Sequence, residues 1–130
     1  MKPQKSRRGF TLIELIIIII IISILGAAAI PKYLDIRRDA ANAAARAFLT
    51  ALRGANTIVW TKLVANGDTS TYSFGEVIAA ADISGDMKWL LNGPTSVSLT
   101  VGSSSYTFTM NTYGSPPYTN PMIYGPYADW

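Results

Sequence analysis

The sequence predicts an α+β protein. A long N-terminal α-helix, apolar in its membrane half and amphipathic in its second half, packs on a small antiparallel β-sheet head, a lollipop. Three observations carry that reading. Residues 10–30 form an apolar run interrupted by a single charge, Glu14. Residues 31–65 repeat apolar side chains at helical spacing. Beyond Gly67 the pattern changes to alternation punctuated by turn residues.

The chain has 130 residues, enough for one small domain. It holds no cysteine, so disulfides, thiolate metal sites and thiol nucleophiles are excluded, and no histidine, which removes the usual general base. No serine-activating partner and no phosphate-cradling glycine motif is present either, so the chain reads as a non-enzyme without cofactors or direct nucleotide binding. The net charge of +3 misleads, because Lys2, Lys5, Arg7 and Arg8 all precede residue 9. Without them the chain is near neutral, and a nucleic-acid partner has no support from charge.

Residues 1–9 are a short basic leader. Residues 10–30 would rise roughly 31 Å as a helix, about the thickness of a bilayer's hydrocarbon core. The isoleucine run of residues 16–22 favours a strand in water, but a single span in lipid must satisfy its own backbone, so a helix is expected. In residues 31–66 the apolar stripe is Ala41, Ala45, Phe48, Leu49, Leu52, Val59 and Leu63, with Arg46, Arg53, Asn56 and Lys62 mostly elsewhere. Asn66-Gly67 is a helix stop. Joined, the two blocks make a helix of about 55 residues, too long for so small a head to cover.

Residues 67–130 form the head. Residues 69–73 read as a polar loop. Ser73 and Glu76 have capping-box spacing ahead of a short helix. Val97, Leu99 and Val101 alternate, as do Tyr106, Phe108 and Met110, with residues 102–105 as the hairpin turn. The tail from Tyr113, rich in proline, glycine and tyrosine, is expected as an ordered loop or one edge strand, with Tyr113, Tyr118, Tyr124, Tyr127 and Trp130 packing on the helix or meeting other subunits. Residues 82–86 are rich in oxygen ligands, but they lack calcium-loop spacing and read as a solvated turn.

The segment Arg7-Arg8-Gly9-Phe10-Thr11-Leu12-Ile13-Glu14-Leu15, leading to Pro31, resembles the N-terminus of type IV prepilins and of type II secretion pseudopilins. The resemblance covers about a quarter of the chain. It implies cleavage between Gly9 and Phe10 by a prepilin peptidase on the cytoplasmic side, and N-methylation of Phe10. The local chemistry agrees: an ordinary secretory signal is cut after its apolar stretch, whereas a cut here retains the anchor. Charge alone favours a cytoplasmic N-terminus only slightly, since Lys32, Arg37 and Arg38 follow the run.

Glu14 is the residue that most needs a purpose. A carboxylate in hydrocarbon costs about 2.5–3.5 kcal/mol on insertion scales, and residues 10–30 contain no basic side chain to pair with it. The resemblance implies that Glu14, with Thr11, serves assembly and register, meeting the Phe10 amine of a neighbouring subunit. Before assembly the carboxylate would sit near headgroup level. Pro31 lacks an amide hydrogen, and Gly26 adds a second weak point, so a kink or an unwinding stretch over residues 26–30 is expected there.

The resemblance, with the apolar run that accompanies it, implies a membrane-anchored subunit that polymerises through its N-terminal helix into a type IV pilus on a bacterial surface. The implied partners are copies of itself, the prepilin peptidase, an inner-membrane assembly platform and, before assembly, lipid. A pseudopilin or minor pilin would share the anchor. A monomeric, membrane-tethered binding module is the reading from another class.

Overall fold

The computed structural model describes residues 9–83, 87–111 and 113–126. Its elements are α1 (Leu12–Ala65), α2 (Phe74–Ala80) and four strands, β1 (Lys88–Gly93), β2 (Ser96–Val101), β3 (Ser104–Met110) and β4 (Ile123–Tyr124). The layout is α+β and pilin-like, with one long helix ahead of a small antiparallel sheet. The chain divides into two compact units, Met1–Arg37 and Arg38–Trp130.

Helix α1 joins both blocks of the sequence and starts at Leu12, with Phe10 and Thr11 ahead of it. Pro31 lies inside it, and the helix is unbroken through Gly26 and Pro31. In the first unit none of the described residues is buried.

The second unit builds its own core. The helix contributes Ala41, Ala45, Phe48, Leu52 and Ala55, close to the expected stripe. From α2 come Phe74, Val77 and Ile78, and from the sheet Val97, Leu99, Tyr106, Phe108, Met110 and Ile123. Register explains the sheet's inner face: Val97 lies opposite Phe108, Leu99 opposite Tyr106 and Met110 opposite Ile123. Alternation then puts all six on one side. The Phe48 and Phe108 rings meet at 5.2 Å with a 50° tilt, the inclined geometry that aromatic pairs prefer.

Local chemistry sets the boundaries. Gly67, at φ 67°, ends α1 in the left-handed conformation, and the Asp68 N–H donates to the Leu63 carbonyl at 3.0 Å, closing the last turn. Helix α2 starts at the expected box, where the Glu76 carboxylate accepts the Ser73 N–H at 2.9 Å and also the Ser73 hydroxyl. That hydroxyl holds the Glu76 carboxyl below its ordinary value. The β2–β3 turn is Gly102-Ser103, tighter than the expected four residues, with Gly102 at φ 62°.

The structure departs from the sequence reading at three points. Asn56, placed off the stripe, is buried. Its Nδ2 donates to Asn120 Oδ1 at 3.0 Å and to the Pro121 carbonyl at 2.9 Å, while its Oδ1 accepts the Tyr72 hydroxyl at 3.0 Å. Second, the polar loop of residues 69–73 contains a core side chain: Tyr72 is 3% exposed and pairs with Gly114 through two backbone hydrogen bonds. Third, β1 has no counterpart in the sequence reading. It is the edge strand next to β2, and Trp89, Leu90 and Leu91 on it are exposed. Tyr113, Tyr118 and Tyr124 of the tail are exposed in the single chain.

What ties the tail down is Pro116, Pro121 and Ile123, all buried, together with Asn56 and an Arg53 Nε–H donated to the Ile123 carbonyl at 3.0 Å. The edge-strand expectation for the tail holds, since β4 pairs antiparallel with β3. Tyr127 and Trp130, like Ser84, Gly85 and Asp86 of the oxygen-rich turn, lie outside the described residues.

Candidate functional site

The candidate site is the start of the apolar helix, residues 9–14. Thr11 immediately precedes α1 and caps it, its carbonyl accepting the Leu15 N–H at 3.3 Å, and Glu14 is three residues on. The Glu14 carboxylate folds back: its Oε2 accepts the Thr11 N–H at 2.9 Å and the Thr11 hydroxyl at 2.8 Å. The Glu14 N–H in turn donates to Thr11 Oγ1 at 3.3 Å. This is a capping box, which satisfies two backbone donors that the first helical turn leaves open. A negative group at this end also faces the positive pole of the helix dipole.

The resemblance implies an intermolecular purpose for Glu14, and the structure adds this intramolecular one. The signal was available, because Thr11-x-x-Glu14 ahead of an apolar run has the same spacing as Ser73-x-x-Glu76. The two roles are compatible. Both of Thr11's hydrogen bonds to the carboxylate fall on Oε2, so Oε1 remains as an acceptor for another chain.

Ahead of the cap, Gly9 and Phe10 are exposed, Phe10 at 82%. A Cβ added at Gly9 would meet nothing within 4 Å. Packing among the described residues therefore gives no reason for glycine at that position. The same is true of Gly26, inside the helix.

Behind the cap, residues 12–30 contain two polar side chains, Glu14 and Ser23. The Ser23 hydroxyl donates to the Ile19 carbonyl at 2.6 Å, so both are satisfied within the helix. Around them Leu12, Ile13, Leu15, the isoleucines at positions 16–22 and 24, Leu25 and Ile30 are all exposed. By length and composition α1 is apolar enough to cross a membrane, with an 18-residue window of mean hydropathy 3.0, none of it buried. An apolar surface of this extent marks contact with lipid or protein.

Elsewhere in the molecule, no group of three or more carboxylate, histidine or cysteine ligands comes together among the described residues. The open hollow beside Arg53, Asn56, Asn120 and Pro121 is lined by the side chains that anchor the tail.

Comparison with known proteins agrees with where this geometry lies. Residues 4–30 match the prokaryotic N-terminal methylation motif, the signature of type IV pilins and pseudopilins. No curated protein and no solved structure matches the chain.

Proposed function

We propose that the chain is a structural, non-enzymatic subunit of a type IV pilus filament, anchored in the cytoplasmic membrane before assembly and polymerised through the N-terminal part of α1 into a fibre on a bacterial surface. The observation that carries this reading is a carboxylate at position 14, held at the head of an uninterrupted apolar helix within the matched methylation motif.

Each step follows from chemistry at a named residue. A prepilin peptidase cuts between Gly9 and Phe10, where glycine leaves the backbone open, and methylates the new Phe10 amine. Cleavage removes four basic side chains and leaves one new cation, a single helical turn from Glu14. In a staggered bundle, Glu14 Oε1 accepts the Phe10 amine of the neighbouring subunit, which sets the register. An assembly platform in the inner membrane supplies the work of extraction, because lipid tails are about as apolar as the helices that replace them. Gly26 and Pro31 mark where the helix can yield, since Pro31 offers the Ala27 carbonyl no hydrogen bond.

The test is electron microscopy of material sheared from cells carrying the wild-type chain or Glu14→Ala. The wild type should give long fibres that contain the chain, and the variant a stable, processed membrane protein with few or none. Equal fibre yield from both removes Glu14 from the mechanism. Short fibres confined to the periplasm identify a pseudopilin-type subunit instead. A membrane-bound monomer in both strains favours a tethered binding module.

A further inference from the structure

We infer that Lys32, Tyr33 and Arg37 form a collar on the first unit that binds the headgroups of anionic phospholipids. The inference rests on the membrane-anchor part of the reading above.

Position is the first argument. The apolar run ends at Ile30, and Lys32 to Arg37 occupy the next turn and a half of helix. Measured along the axis from Ile30, the backbone of Lys32 lies about 3 Å, that of Tyr33 about 4.5 Å and that of Arg37 about 10.5 Å further out. The headgroup layer on one side of a bilayer is about 5–8 Å thick, taking a hydrocarbon core of about 30 Å within a total of 40–45 Å. In a helix that spans the core with residues 10–30, Lys32 and Tyr33 start within that layer. The Arg37 side chain leans back toward the N-terminus to lie over Tyr33, which brings its guanidinium down to the same depth.

Geometry is the second argument. The Arg37 guanidinium lies over the Tyr33 ring, 5.8 Å from its centroid, and both side chains are exposed. Tyrosine is enriched at this depth because its ring is apolar and its hydroxyl polar. Stacking on the ring keeps the guanidinium beside the helix while leaving its N–H donors free for phosphate oxygens, which it binds in a planar fork.

Charge is the third. Lys32 and Arg37 make no ion pair among the described residues, although Asp35 lies three residues from Lys32 and two from Arg37. The two cations are thus available to an external anion, and the anion that a membrane presents at this depth is lipid phosphate.

The experiment compares the full chain with the double variant Lys32→Gln/Arg37→Gln in nanodiscs of mixed phosphatidylcholine and phosphatidylglycerol. Lipid retained after extraction is counted by native mass spectrometry. Both proteins keep Lys2, Lys5, Arg7 and Arg8, so any leader contribution is constant. The double variant should retain phosphatidylglycerol about fivefold less for each basic side chain removed, with phosphatidylcholine unchanged. Equal retention of phosphatidylglycerol by the two proteins overturns the inference. So does displacement of the lipid by an equal concentration of inorganic phosphate, which would identify a phosphate site unrelated to the bilayer. Failure of the wild-type chain to insert into any bilayer contradicts the anchor reading itself, and insertion without anionic preference contradicts only the collar.

Discussion

The Glu14 carboxylate accepts both the N–H and the hydroxyl of Thr11 on one oxygen, at 2.9 and 2.8 Å. A side chain proposed for contact between subunits is thus already held by its own helix. The Thr11 N–H belongs to the bond that follows Phe10, so the box survives cleavage at Gly9. It gives the apolar end of the helix a satisfied acid in place of a bare one.

Under the proposed assembly role of Glu14, Thr11 acts as a positioning residue, because it holds that carboxylate in place. Thr11→Val keeps the shape and the N–H but removes the hydroxyl, and cap losses of this kind cost about 0.5–2 kcal/mol. Fibre yield should fall with Thr11→Val and recover with Thr11→Ser, while leader cleavage stays unchanged in both. Quantified sheared fibres alongside the ratio of processed to unprocessed chain check this. Wild-type yield from Thr11→Val would show that the box has no part in assembly.

The head should depend on Asn56 more than on its neighbours along the helix. Asn56→Leu leaves the Tyr72 hydroxyl, the Asn120 side chain and the Pro121 carbonyl without the partner they share. A loss of about 2–4 kcal/mol is expected, since each buried unsatisfied group costs about 1–3 kcal/mol and relaxation or water recovers part. Adding Tyr72→Phe to Asn56→Leu should cost less than the sum of the two single changes. Denaturant melts of the full chain in detergent, monitored by tryptophan fluorescence, measure both.

Gly114 answers to Tyr72. A Cβ at Gly114 would lie 1.9 Å from Tyr72 Cε1, so Gly114→Ala must displace the ring from the core. Overpacking of this kind costs about 1–3 kcal/mol or more. Gly54→Ala, where a Cβ meets nothing within 4 Å, is the control and should leave the head unchanged or slightly more stable. Paired thermal melts compare the two.

Alkaline pH should loosen the same place. Burial pushes the Tyr72 hydroxyl up to about 12. The folded head holds that proton more tightly than the unfolded chain, whose tyrosine titrates near 10. The stability from neutral Tyr72 is therefore complete below about pH 10 and is lost as pH rises from there toward about 12. Melts between pH 8 and 12 should show this decline in the wild type and a smaller one in Tyr72→Phe.

Much of this was legible in the sequence because lipid and core leave strong patterns. The run from Phe10 to Ile30 allows one kind of backbone in a bilayer, and the stripe through Phe48 and Leu52 repeats at the helical period. The β2–β3 hairpin alternates because one face is buried. Strand β1 escaped because Trp89, Leu90 and Leu91 are exposed on both faces, so no alternation is written into it. Asn56 looked like a surface residue because its burial depends on acceptors and donors 16 to 65 positions away. Tyr72 was hidden for the same reason, its partner Gly114 being distant in sequence. At the site, Glu14 stood out by its charge, while the Thr11 cap was masked by the larger question that a carboxylate in an apolar run raises.

The account stands most directly on the intact mass of the chain recovered from a sheared fibre fraction. The predicted species begins at Phe10, lacks residues 1–9 and carries one added methyl group on its N-terminus. A chain that retains Met1, or one cut beyond Ile30 so that the apolar helix is lost, would contradict it.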